Sequence, residues 1–227
     1  MISPKSLDLI TIYDLLFKRF GPQNWWPGES KEEIIIGAIL TQNTNWKNVE
    51  KSINNLKANN LINFNNIRKI ETEKLAQTIH SSGYYNQKAK RLKLVTEFFN
   101  KNTFSILENR STDELREALI NINGIGAETA DSILLYAFNR PTFVIDAYTK
   151  RIFNRLRLWN EKITYKDAQD FFIENLNQSQ ESTFDEYIHL FNEYHALLVK
   201  LGKDICKKIP LCQQCPLKIT GNCFDTL

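Results

Sequence analysis

LININGIGAETADSILLYA, residues 119–137, is two helical stretches set apart by a pair of glycines. Leu115, Ala118, Leu119 and Ile122 recur at i, i+3, i+4 and i+7, one face of a helix that ends near Ile122. Gly124 and Gly126 bracket Ile125, and a second helix starts near Ala127 and runs through Ala130, Ile133, Leu134 and Ala137. Glycine permits a left-handed turn and lets another backbone come close. The free N–H groups at the start of the second helix would then face outward, where they suit an anion, phosphate above all. The same residues also suit a plain helix–turn–helix corner with glycine caps.

The flanking chain carries the same helical signals. Ser30-Lys31-Glu32-Glu33 has the form of a capping box, in which a hydroxyl and a carboxylate each satisfy an orphan backbone donor, and it opens onto the apolar run Ile34–Leu40. Ser111–Glu114 is a second box, and Thr164–Asp167 starts a further helix containing Phe171 and Phe172. Alternating strand patterns do not occur, the Asn123-Gly124 pair is flanked by helical stretches rather than strands, and 8 Gly and 6 Pro leave few places for tight β turns. The chain therefore reads as all-α.

With 227 residues, 42% hydrophobic, 11% aromatic and 24% charged, it can bury a full core and is unlike a disordered chain. The run Ile34–Leu40 falls well short of the roughly 20 apolar residues that a membrane helix needs. The N-terminal MISPKSLDL has no signal-peptide core, so the expectation is a cytosolic protein without a membrane partner. A net charge of +3, from 29 Lys+Arg against 26 Asp+Glu, is too small to identify a nucleic-acid partner by itself.

Three features carry chemistry. Pro141-Thr-Phe-Val-Ile-Asp146 is an apolar approach to one carboxylate, which can cap a following helix, act in catalysis, or do both. All four cysteines lie in Cys206-x5-Cys212-x2-Cys215-x7-Cys223. Four clustered thiolates suit zinc or an iron–sulfur cluster, although zinc sites usually show two close pairs and this pattern has one. Lys88, Lys90, Arg91 and Lys93 form a basic run that suits phosphate contact or a solvated face.

Gly124-Ile-Gly126-x-x-Thr129-Ala130, followed sixteen residues later by Asp146, resembles the helix–hairpin–helix DNA glycosylase superfamily, of which endonuclease III is the best-known member. Leu40-Thr-Gln-Asn-Thr44 resembles the segment that family inserts into the DNA stack, and Gly83-Tyr-Tyr-Asn86-Gln-Lys88-Ala89 its glycine-Tyr-Asn-x-Lys-Ala stretch. The cysteines resemble its iron–sulfur loop, which leaves six residues in the first gap and five in the last where this chain has five and seven. The resemblance implies two helical domains with an active-site cleft between them. Residues 30–137 would form a six-helix barrel domain with the helix–hairpin–helix, and residues 1–29 and 138–227 an iron–sulfur cluster domain. It further implies a catalytic Asp146, a [4Fe-4S] cluster on Cys206, Cys212, Cys215 and Cys223, and DNA contacts from Gln42, Asn43, Lys88, Gly124, Gly126 and Thr129. The partner would be double-stranded DNA containing a damaged base, bound by a monomer.

Bifunctional members resembling endonuclease III carry a lysine two residues after the second hairpin glycine, where this chain has Glu128. A carboxylate cannot form an imine with the sugar, so the expectation is a monofunctional glycosylase that uses water and leaves an abasic site. The full string GIGAETADSILLYA is closest to 3-methyladenine DNA glycosylase III. Trp25, Trp26 and Trp46 stand where that subfamily has aromatic residues lining the base pocket, and with Glu128 they are the expected pocket for an N3- or N7-alkylated purine. Some enzymes of that type lack the cysteines. The rival readings are a glycosylase for mismatched thymine, uracil or adenine or for an oxidised pyrimidine, and a non-catalytic binder of damaged DNA.

Overall fold

The computed structural model describes residues 8–176, 183–220 and 223. Its α-helices, in chain order, are α1 (Leu9–Phe20), α2 (Lys31–Leu40), α3 (Trp46–Ala58), α4 (Phe64–Lys69), α5 (Thr72–Thr78), α6 (Tyr85–Lys101), α7 (Phe104–Glu108), α8 (Thr112–Ile120), α9 (Ala127–Ala137), α10 (Ala147–Arg155), α11 (Tyr165–Leu176) and α12 (Phe184–Asp204). There is no strand among the described residues, so the fold is all-α. None of these helices is long and apolar enough to cross a membrane. The chain divides into two compact units, Trp26–Arg140, and Met1–Trp25 together with Pro141–Leu227.

In the unit Trp26–Arg140, α2 is the inner helix. Ile35, Ile36, Ala38, Ile39 and Leu40 are all buried, and a helix that is apolar on every side belongs in the interior. It packs against α9, which is buried continuously from Thr129 to Ala137. Val49 and Leu56 of α3, Leu92 and Val95 of α6, and Leu115 and Leu119 of α8 complete the core, each such residue adding about 1.5–3 kcal/mol of burial. Gly37 makes room for the Trp26 indole, since a Cβ there would fall 3.0 Å from Trp26 Cζ2. Ser30 does cap α2, accepting from the Glu33 N–H at 3.1 Å, but the reciprocal half of the expected box is missing. The Glu33 carboxylate turns instead to the Glu29 N–H and to Lys57. The box at Ser111 and Glu114 is complete.

The glycine turn joins α8 to α9. Gly124 adopts φ +88°, whereas Gly126 is extended, so only the first glycine is required by backbone conformation. Below the turn Arg116 grips Asp131 with both arms of its guanidinium, at 2.7 and 3.0 Å. The Asp131 side chain is fully buried, and the fork geometry fixes the angle between the two helices.

In the other unit an aromatic core holds the helices together. Phe143 stacks on Phe172 and meets Phe191 and Tyr194 edge-on. The buried Tyr194 hydroxyl donates to the Leu9 carbonyl at 2.8 Å, tying α12 to α1. Gly202 of α12 lies under Tyr148 of α10, where a Cβ would come within 2.5 Å of Tyr148 Cδ1.

Candidate functional site

Asp146 is the N-cap of α10: its Oδ1 accepts from the Thr149 N–H at 2.7 Å. The side chain is 13% exposed, and Oδ2 stands 3.9 Å from Nε2 of His195 on α12. Burial pushes His195 below the usual histidine range although the Asp146 charge pulls the other way. A neutral imidazole is thus favoured beside the carboxylate. The cap fixes one carboxylate oxygen against the first turn of α10. Beside it, the buried Thr149 hydroxyl has no hydrogen-bond partner among the described residues.

From the last turns of α10 two arginines reach the cysteine loop. Arg151 donates to the Gly202 and Cys206 carbonyls, both at 2.9 Å. Arg155 donates to the Lys207 and Lys208 carbonyls and, at 3.2 Å, to the Cys206 sulfur. The helix that begins at Asp146 therefore ends on the loop. Among the described residues, no three His, Cys, Asp or Glu side chains stand close enough together to hold a single metal ion. The thiols nonetheless lie within electrostatic reach of one another. Burial pushes Cys223 up to about 11, with Cys206, Cys215 and Cys212 adding to the rise and Arg155 opposing it. Burial likewise raises Cys215.

In the unit Trp26–Arg140, the residues expected to meet DNA fall into two groups. Gln42 turns inward: its Nε2 donates to the Gly124 carbonyl at 3.1 Å and to Thr129 Oγ1 at 2.9 Å. Its Oε1 accepts from Arg91 Nη1 at 2.6 Å. Asn43 is exposed and holds φ +53°, and Gly126 has open space where a side chain would stand. Tyr84, the first tyrosine of the Gly83–Ala89 stretch, is 63% exposed with φ +46°. Gly83 just before it also has a positive φ, so the turn holds the Tyr84 ring out in solvent.

Lys88 corrects an expectation. It is fully buried, and its ammonium donates to the Leu40 carbonyl at 2.8 Å and the Ser82 carbonyl at 2.7 Å. Its ammonium is turned into the fold, where it braces the end of α2 against the Gly83 turn. Burial lowers its pKa to about 8. Lys93 behaves similarly, donating to the Arg68 and Ile70 carbonyls. Three of the four cations in the basic run thus brace the fold. The sequence did hold a signal, because Lys88 lies on the same helical stripe as the buried Leu92, Val95 and Phe99.

Trp26 and Trp46 meet edge to face, with ring centroids 5.3 Å apart. They flank a cavity of about 190 Å³ lined also by Pro27, Gly37, Glu33, Glu50 and Lys57. Trp25 belongs to the other unit. Glu128 is exposed in the first turn of α9 and does not line this cavity.

The profile of the HhH-GPD superfamily base excision DNA repair proteins matches residues 36–178. The chain is 48% identical over 211 residues to the "Putative DNA repair glycosylase MJ1434" of Methanocaldococcus jannaschii, covering 91% of this chain and 92% of that protein. It is 30% identical over 186 residues to endonuclease III of Sulfolobus acidocaldarius, covering 81% and 78%. Among solved structures it is similar to Helicobacter pylori 3-methyladenine DNA glycosylase (MagIII) bound to 1,N6-ethenoadenine. That match has 32% identity and a TM-score of 0.74, over 87% of this chain and 98% of that one. The chain belongs to the HhH-GPD superfamily of base excision DNA repair proteins.

Proposed function

We propose that this DNA glycosylase is monofunctional and removes cationic, alkylated purines from duplex DNA in the cytosol. The observation that carries the substrate reading is the cavity beside the Trp26–Trp46 pair, with Glu33, Glu50 and Lys57 on its wall. Lys57 on the same wall neutralises Glu33, which leaves the indoles and Glu50 to favour a positively charged guest, with each cation–π contact worth about 0.5–2 kcal/mol. Those contacts offset part of an unstacking cost of roughly a few kcal/mol, which is smaller at a damaged pair. The similarity to MagIII supports the same reading.

An N3- or N7-alkylated purine is already a good leaving group. Its glycosidic bond breaks with the electron pair going to the base, which departs neutral, while a water oxygen bonds to C1′ of the sugar. Asp146 stabilises the positive sugar and accepts the proton of that water. Oδ1 is fixed by the cap, which leaves Oδ2 for this work. Glu128 at the lysine position supports water rather than an amine as the nucleophile. On the DNA side, Asn43 and Tyr84 would enter or stack on the opened duplex and the hairpin N–H groups would hold a phosphate.

The cysteine loop carries four thiols, the donor set that a [4Fe-4S] cluster takes. Burial and the neighbouring Cys206, Cys215 and Cys212 raise Cys223, a thiol that a cationic centre would ionise, and Arg155 already donates to the Cys206 sulfur. Cys206, Cys212, Cys215 and Cys223 would hold it, and when bound it would staple the loop to α10 without entering the reaction.

The test is to incubate the purified protein with methylated DNA. Free 3-methyladenine or 7-methylguanine is expected. Release of uracil, thymine or an oxidised pyrimidine alone would remove the substrate proposal and leave the glycosylase assignment in place.

A further inference from the structure

Arg91 of α6 touches both the Gln42–Asn43 segment and the glycine hairpin of the unit Trp26–Arg140. Its Nη1 donates to Gln42 Oε1 at 2.6 Å, and Gln42 Nε2 passes the connection on to the Gly124 carbonyl and Thr129 Oγ1. Its stem lies directly under the hairpin. A Cβ on Gly124 would meet Arg91 Nε at 2.5 Å, Cγ at 2.8 Å and Cδ at 2.9 Å. Gly124 is therefore needed twice, for its φ of +88° and for the arginine beneath it. Lys88, one turn earlier on the same helix, pins the carbonyl of Leu40, two residues before Gln42.

A planar amide can sit in either of two flipped orientations, and the wrong one presents N–H to N–H. Here a guanidinium, which can only donate, faces the amide oxygen, while a carbonyl and a hydroxyl face the nitrogen. One orientation is allowed. The charge-assisted bond to Arg91 is the stronger part of this lock.

We propose that Arg91 is a positioning residue for lesion opening. It fixes the orientation and reach of Gln42 and clamps the Gln42–Asn43 segment to the hairpin, so that phosphate binding and duplex invasion occur on one rigid edge. It acts through Gln42 and touches neither base nor phosphate. The proposal rests on the reading that the Gln42–Asn43 segment enters the duplex.

The experiment compares single-turnover base release from two duplexes. In one, a single alkylated purine faces its normal partner; in the other, the same lesion faces an abasic site and is already unstacked. Arg91→Ala should slow the paired lesion by roughly ten- to a hundredfold, the cost of a hydrogen bond to a charged group, and the unstacked lesion by less than about threefold. Arg91→Met keeps the stem under Gly124 and removes the donors, so it should behave as Arg91→Ala if the bond rather than the packing matters. The double variant with Gln42→Ala should be no slower than Gln42→Ala alone. Far-UV circular dichroism and the melting temperature confirm that each variant folds. Equal slowing on both duplexes, or additive losses in the double variant, would overturn the positioning role. If Gln42→Ala itself slows neither duplex, the invasion reading fails instead.

Discussion

Replacing Lys88 by Met tests whether the buried ammonium is a strained brace. Met keeps the length and apolar stem but removes both hydrogen bonds, leaving the Leu40 and Ser82 carbonyls without that donor. Each such loss costs about 1–3 kcal/mol. Against it stands the relief of a buried charge: a pKa lowered from 10.5 to about 8 corresponds to about 3 kcal/mol. The two effects nearly offset at neutral pH, so a single melting temperature decides little. The pH dependence decides more. Between the folded pKa of about 8 and the unfolded 10.5, the unfolded chain binds the extra proton, so stability rises with pH in that window. Below the folded pKa the cost of the charge is fully present. From about pH 7 to about pH 9.5, the natural protein should therefore gain about 2 kcal/mol relative to Lys88→Met. Urea unfolding followed by far-UV circular dichroism at both pH values measures this, and the difference between variants cancels the tyrosines and thiols titrating nearby. A difference that stays constant within about 0.5 kcal/mol would refute the reasoning.

Other outcomes follow from named contacts. Asp146→Asn keeps an N-cap oxygen for Thr149 and should lower base release by about 10²–10⁴ with DNA affinity retained, as read by gel shift and single-turnover kinetics. Borohydride should trap no adduct between the natural protein and abasic DNA; a trapped adduct would contradict the water mechanism. Arg116→Ala leaves Asp131 buried without its fork and should lower stability by about 3 kcal/mol in urea unfolding, with Arg116→Lys recovering only part.

The elements legible in the sequence were those set by neighbours along the chain. The Ser111 box, the glycine turn and the stripe Leu115–Leu119 needed only local spacing, and the helices formed where that spacing placed them. Ser30 shows the limit: its box opened because Lys57, far along the chain, competes for Glu33. Lys88 and Lys93 read as surface cations because a lysine's burial depends on which carbonyls the tertiary fold brings to it. The partners of the site were invisible for the same reason. Nothing in the sequence places His195 beside Asp146, Arg155 on the Cys206 sulfur, or Arg91 between Gln42 and the hairpin.

The central claim, water-driven removal of an alkylated purine, is tested most directly by the products from one defined duplex. A strand with a single labelled alkylpurine is incubated with the protein, and free base and strand length are measured in the same sample. Free alkylpurine equal in amount to abasic sites on an uncut strand is expected. Strand cleavage keeping pace with base release would contradict it, as would abasic strands without free alkylpurine.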